Sequence, residues 1–309
     1  MQIHKGYNNL PVINNPVVTT GSFDGVHIGH KAIIDRLNNI AEKINGESVL
    51  ISFYPHPRKV LYPDTLGKDL SLINSQKEKI RQLEKAGLDH LIIIEFTKEF
   101  SKITSQEFIE DILLRKIHAS VIIVGFNHHF GHNREGDYSY LYELAKNKDF
   151  KVEEIPEQDL ENETVSSTII RKALSEGRVQ RANAYLNHLF ICIGELSDGS
   201  KECRQIGFPT LRLNIDETEK LVPLPGVYAI SLEYKKSRLR GMMNIKRKQN
   251  SIFDVQIHLF DYSKEMNLKG EVVCVFIHKR MRDELDISEI EKLRFQLEKD
   301  KQEIYELIY

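Results

Sequence analysis

A β-branched run that breaks on glycines and resumes at helical spacing leaves few folds open to a chain. Val17-Val18-Thr19-Thr20 is such a run, and Gly21-Ser22-Phe23-Asp24-Gly25-Val26-His27-Ile28-Gly29-His30 follows it. Ala32, Ile33, Ile34, Leu37, Ile40, Ala41 and Ile44 then recur at steps of three and four, one apolar face of a helix. His27 and His30 therefore fall where a strand hands over to a helix N-terminus. Unpaired N–H groups and the positive end of the helix dipole make such a place an anion site. Gly21, Gly25 and Gly29 let backbone approach the ligand. Two imidazoles there can donate to phosphate oxygens and steady developing charge. The same spacing also occurs in metal pairs and in surface pairs. Zinc is disfavoured, because no cysteine or carboxylate cluster nearby completes four ligands.

The next segments repeat the alternation. Glu47–Phe53, Leu91–Ile94, Ser120–Val124 and Lys151–Ile155 read as strands. Between them come a helix capped by Asn74 or Ser75 and ending near Ala86-Gly87, and another opening at Thr104-Ser105-Gln106-Glu107 with Phe108, Ile109, Ile112 and Leu113 inward. Apolar strands alternating with helices predict a parallel sheet covered on both faces. Tyr54-Pro55-His56-Pro57-Arg58 reads as a rigid loop past a strand end, where open α/β sheets bind ligands, with His56 and Arg58 as candidate contacts or as a plain stiff turn. Gly125–Asp137 holds His128, His129 and His132 and reads as a polar loop over a cleft, with metal binding the lesser alternative. Val165-Ser166-Ser167-Thr168-Ile169-Ile170-Arg171 offers three hydroxyls and an arginine at a helix start, either a plain cap or a phosphate grip.

Near Leu186–His188 the pattern changes, which divides the chain into 1–186 and 187–309. Six short strands follow: 189–194, 211–215, 227–232, 242–245, 252–259 and 271–277. They predict a small antiparallel barrel, closed by a helix whose apolar face is Ile287, Ile290, Leu293, Leu297, Ile304 and Leu307. Composition supports two ordinary globular domains: 309 residues, 41% hydrophobic and 28% charged, with a formal net charge of -2. That balance gives no global electrostatic case for nucleic acid or membrane, and no apolar run is long enough to span a bilayer. Met1–Lys5 lacks the apolar core of a signal peptide. Cys192, Cys203 and Cys274 are odd in number and far apart, which fits a reducing cytoplasm and buried thiols rather than disulfides.

Four strings, in order, resemble the bifunctional riboflavin kinase/FMN adenylyltransferase (FAD synthetase) family: Gly21–His30, Phe53–Pro57, Val124–Asp137 and Val165–Arg171. The resemblance implies a Rossmann-like nucleotidyltransferase domain that joins the AMP of ATP to FMN, followed by a riboflavin kinase-like barrel. It implies that His27, His30 and Arg171 are catalytic. Gly21, Phe23, Asp24, Gly25, Gly29, Ser166, Ser167 and Thr168 would lie around ATP, and His56, Pro57 and Asn127 around the flavin. Mg²⁺ is the implied metal. ATP, FMN and riboflavin are the implied small molecules, FAD the product, and flavoproteins the class of client.

The barrel half resembles the family less closely. Arg204–Thr210 fits a family string, but Arg212 stands where an asparagine beside Thr210 would help hold metal. A fixed cation there repels Mg²⁺. Gln256 stands where a glutamate would deprotonate riboflavin, and an amide is no general base. Thr210, Arg212, Gln256 and Arg282 are thus the kinase-like positions, and weak or absent kinase activity is expected. The alternatives are a fully bifunctional enzyme, a non-catalytic flavin-nucleotide regulator, and another adenylyl or cytidylyl acceptor.

Overall fold

The computed structural model describes residues 1–126, 129–156, 159–160, 163–235, 237–248, 253–260, 266–285 and 289–308. The chain forms two compact units. One comprises 1–70 and 79–165, the other 71–78 and 166–309.

The first unit is a parallel sheet of six strands: β1 (Gln2–Lys5), β2 (Val17–Thr20), β3 (Ser48–Tyr54), β4 (His90–Glu95), β5 (Val121–Gly125) and β6 (Lys151–Ile155). Their order is β1-β4-β3-β2-β5-β6. Side chains alternate across the sheet. Val18, Val49, Ile51, Ile92 and Ile122 pack on one face against Phe108, Ile109, Ile112 and Leu113. Val17, Val121 and Ile123 face the other way, against Leu37 and Ala41 of α1 (Ile28–Lys43), and Leu50 and Leu91 pack with Ile34 on that helix. β1 has no apolar run and escapes the sequence reading. It is an edge strand paired to β4 from Gln2↔His90 to Lys5↔Ile93.

Two local departures have simple causes. His56-Pro57 does not stay in a loop: Pro57 opens the short helix α2 (Pro57–Leu61), because a proline at the first helical position has no N–H to leave unpaired. Of the two candidate caps on α3 (Gln76–Lys85), Ser75 forms the reciprocal box with Glu78, its Oγ accepting from Glu78 N and its N donating to Glu78 Oε2. The helix opening at Thr104 is α-helical over α4 (Ser105–Glu107) and π-wound over Phe108–Lys116, then β5 is followed by α5 (Tyr138–Ala145).

The short ribbon of β7 (Asp159–Leu160) and β8 (Glu163–Thr164) leads to α6 (Ser167–Ser175) and α7 (Val179–Leu186). Packing groups these two helices with the barrel, although the strand pattern starts only after them. Asn183 on α7 explains why: its Nδ2 donates to Ile277 O at 3.0 Å and its Oδ1 accepts from Phe190 N at 2.7 Å. The barrel's strands are β9 (Phe190–Asp198), β10 (Leu211–Asn214), β11 (Gly226–Tyr234), β12 (Ser237–Arg247), β13 (Phe253–Leu259) and β14 (Val272–Arg282), with α8 (Lys201–Gln205) between the first two. It is closed, in the order β10-β13-β12-β11-β14-β9. β12 outruns its expected 242–245 because Ser237, Arg238 and Arg240 are polar positions, which break the apolar pattern, yet pair with β11.

The closing helix is α9 (Ile290–Leu307). Its inward stripe is Leu293, Leu297, Asp300 and Ile304. Ile290 is 63% exposed and Leu307 38% exposed, contrary to expectation, and Ile287 lies outside the described residues. Asp300 takes an apolar position because Arg282 Nε and Nη2 grip its carboxylate at 3.0 and 2.6 Å. Cys192 and Cys274 are buried and Cys203 partly so, all as free thiols.

Candidate active site

In the first unit the chain runs outward from β2 to β3 and β4, then returns to place β5 on the other side of β2. That reversal is the switch point where open α/β sheets hold ligands, outside the strand ends. The turn from Gly21 to His30 sits there. Within four residues Phe23, Gly25 and Val26 all have left-handed φ, at 48°, 92° and 43°. For a buried β-branched valine this conformation costs on the order of 1–3 kcal/mol, a strain that folded proteins hold at ligand sites. Of the three glycines in the turn, only Gly25 uses a positive φ.

The strained turn delivers a stack of three rings. His27 is the N-cap residue of α1, and His30 lies one helical turn on, so both point the same way. Their ring centroids are 3.6 Å apart and nearly parallel, and Phe23 stacks on the far face of His30 at 4.4 Å. His27 and Asp24 are buried. His30 Nδ1 is buried without a hydrogen-bond partner among the described residues. Burial first, then the neighbouring charges of His27 and Lys79, push the His30 pKa well below that of ordinary histidine. Lys79, which the sequence reading missed, is 7% exposed and donates to Ser52 Oγ at 2.9 Å and Ser22 O at 3.4 Å.

The depressed histidine has a measurable consequence. His30 is neutral in the folded chain but takes a proton in the unfolded chain below about pH 6.5. The unfolded state therefore binds more protons as pH falls, and stability contributed by this site declines below about pH 6.5. His258 and His278 in the second unit, both lowered chiefly by burial, add the same sign. Urea titrations at successive pH values are expected to show a midpoint that falls on acidification through this window. His30→Gln is expected to flatten the dependence.

The other expected contacts fall as follows. His56 caps α2, its Nδ1 accepting from Arg58 N at 3.2 Å, and Pro57 is the first residue of that helix. Asn127 and His128 lie outside the described residues. His132 Nδ1 lies 3.2 Å from Ser101 O, His129 is exposed, and Asp137 caps α5 through Tyr140 N. In the second unit, Ser166 is the N-cap of α6 without a side-chain cap bond, while Ser167 and Thr168 open the helix. Arg171 Nε donates to Ser71 O at 2.9 Å.

The barrel holds its own pocket, a cavity of about 320 Å³ with Phe208, Val227, Met242, Leu293 and Leu297 on its apolar wall. Strand register fixes its polar side. Gln256 on β13 stands opposite Arg212 on β10 and opposite Asn244 on β12. Thr210 Oγ1 donates to Gln256 Oε1 at 3.0 Å, and Gln256 Nε2 donates to Asp254 Oδ1 at 3.1 Å. Arg212 Nε lies 2.9 Å from Asp254 Oδ1. Asp254, two residues along the strand, thus shares the pocket with Gln256.

Residues 11–169 match the FAD synthetase family, and residues 186–308 match the riboflavin kinase family. A bifunctional riboflavin kinase/FMN adenylyltransferase of Buchnera aphidicola subsp. Schizaphis graminum is 34% identical over 97% of this chain and 96% of its own length. The chain belongs to the bifunctional riboflavin kinase/FMN adenylyltransferase family. The Listeria monocytogenes protein of the same name is 31% identical over 94% of this chain and 91% of its own. A crystal structure of a macrolide-efflux protein from Streptococcus pneumoniae superposes with a TM-score of 0.87, at 26% identity over 97% of each chain. No helix among the described residues is long and apolar enough to cross a membrane.

Thr210 Oγ1, the expected Mg²⁺ contact, accepts from Ser200 N and donates to Gln256 Oε1, and the Arg212 guanidinium pairs with Asp254, while Asn244 and Asp254 bring further oxygens to the pocket. Arg282, the remaining kinase-like position, lines the pocket while its guanidinium holds Asp300.

Proposed function

We propose that this chain makes FAD by transferring the AMP of ATP to FMN, with pyrophosphate as the second product. The stacked His27–His30 pair on the strained turn at the switch point carries this reading. An oxygen of the FMN phosphate attacks the α-phosphorus of ATP. A P–O bond to FMN forms, the bond from the α-phosphorus to the bridging oxygen breaks, and pyrophosphate leaves with the electron pair. No covalent intermediate is required, so the protein's work is positioning and neutralising charge. The α1 N–H groups and the two imidazoles face the phosphates. By family resemblance Ser166, Ser167, Thr168 and Arg171 are further ATP-binding residues, and His56, Pro57 and Asn127 attend the flavin. ATP arrives as its Mg²⁺ complex, and the reaction belongs in the cytoplasm.

For the barrel, the comparisons favour the bifunctional reading over the weak kinase that the sequence led us to expect. The relatives are named for both activities, residues 186–308 match the riboflavin kinase family, and the barrel encloses a pocket. On this reading the chain takes riboflavin to FMN and then to FAD. One specific observation favours a second reading, a slow or lost kinase. The base position is an amide, and its neighbouring carboxylate Asp254 is paired with Arg212.

Supplying riboflavin or FMN with MgATP and resolving the flavins by chromatography separates the two. FMN and FAD from riboflavin support bifunctionality; FAD from FMN alone supports the second reading. Under the second reading, Gln256→Glu with Arg212→Asn is expected to raise riboflavin phosphorylation about 10²-fold or more. Under the first, the pair of changes brings no gain.

A further inference from the structure

We infer that Lys79 is a positioning residue for adenylyl transfer, locking the Gly21–Phe23 turn to the end of β3 and setting a buried cation under the ATP phosphates. The inference rests on the AMP-transfer reading above.

Lys79 leaves the first turn of α3 and ends 7% exposed. Its Nζ donates to Ser52 Oγ on β3 and to Ser22 O in the turn, and Ser52 Oγ itself donates to Ser22 O at 3.4 Å. Ser22 therefore receives two hydrogen bonds from the sheet side. The next residue, Phe23, is the one that stacks on His30. Lys79 thus holds the backbone that sets the whole ring stack.

Packing alone does not call for a charge here. Ile80 and Leu83 on the same helix join an apolar cluster with Phe23, Val26 and Ile34, so an apolar side chain suits the neighbourhood. Removing an ammonium from water costs several kcal/mol. An anion brought to the turn gains from that charge in a low-dielectric setting. Asp24, 5% exposed on the same turn, acts against an anion. A cation on the adjoining helix offsets it. The charge of Lys79 reaches His30, which supports the placement.

The test compares the full-length chain with Lys79→Met and with Ser52→Ala. ATP affinity is measured by calorimetry, and KM for ATP and for FMN by FAD formation. Lys79→Met is expected to weaken ATP binding and raise KM for ATP about 10- to 100-fold, the range for a lost charge-assisted hydrogen bond. KM for FMN stays within about twofold, since no FMN contact is assigned to Lys79. Ser52→Ala removes only the lock and is expected to raise KM for ATP severalfold, which decides the matter if Lys79→Met does not fold. Unchanged ATP affinity in a folded Lys79→Met variant, or in Ser52→Ala when that variant does not fold, overturns the inference. Equal rises in both KM values with a fallen Tm also overturn it, as they mark a structural role alone. A wild-type chain that binds no ATP and makes no FAD overturns the AMP-transfer reading itself.

Discussion

His30→Ala is expected to lower kcat/KM for FAD formation from FMN about 10²- to 10³-fold, the loss seen when one preorganised donor to a developing oxyanion is removed. His30 sits between Phe23 and His27 in the stack, so its loss also releases the rings on either side. His27→Ala is expected to have an effect of the same order. The double variant should fall well short of the product of the two, because the rings share one arrangement and act as a unit. His30 belongs to the first unit, so the kinase-like pocket keeps its affinity for riboflavin, and fluorescence quenching of bound flavin checks this. An activity loss under about threefold in both single variants contradicts the assignment.

Lys220→Met is expected to destabilise the second unit by roughly 3–5 kcal/mol, the cost of stranding a buried charge. Lys220 Nζ and Glu78 Oε2 are 2.7 Å apart and both side chains are fully buried. Lys220 also donates to Ile73 O and Ile191 O, while Glu78 Oε1 accepts from Ile193 N. The pair fastens the 71–78 segment into the second unit, next to the exchange of backbone bonds between Leu72 and both Glu219 and Leu221. Urea unfolding of Lys220→Met is expected to show a large drop in midpoint. Adding Glu78→Gln should recover part of it, since the stranded carboxylate is then gone. A drop below about 1 kcal/mol would place the pair among merely neutral buried contacts.

Sequence carried the alternation of strand and helix, because side-chain period is a local property. Val17–Thr20, the glycine turn and the α1 stripe could be assigned from ten or fifteen residues at a time. So could the barrel, from six short strands. What stayed hidden is non-local or too polar for periodicity. β1 is polar and holds by pairing to β4. Lys79 and Glu78 stand side by side in the charged run Gln76–Lys79, which reads as a solvated helix face, and only tertiary packing sends one to Ser22 and Ser52 and the other to Lys220. Asp300 is hidden in the same way inside an otherwise apolar stripe. The left-handed φ of Val26 runs against its residue type, which is how strain at a functional site misleads local reasoning. Gln256 and Arg212 were legible as departures from a pattern. The hydrogen bonds of Gln256 to Thr210 and Asp254, and the ion pair of Arg212 with Asp254, needed the strand register.

The most direct test is to incubate the full chain with FMN and MgATP and quantify FAD and pyrophosphate together. Equal amounts of the two, lost together in His30→Ala, are the expected result. FMN left unchanged while ATP is bound, or pyrophosphate released without FAD, would contradict AMP transfer to FMN at the His27–His30 turn.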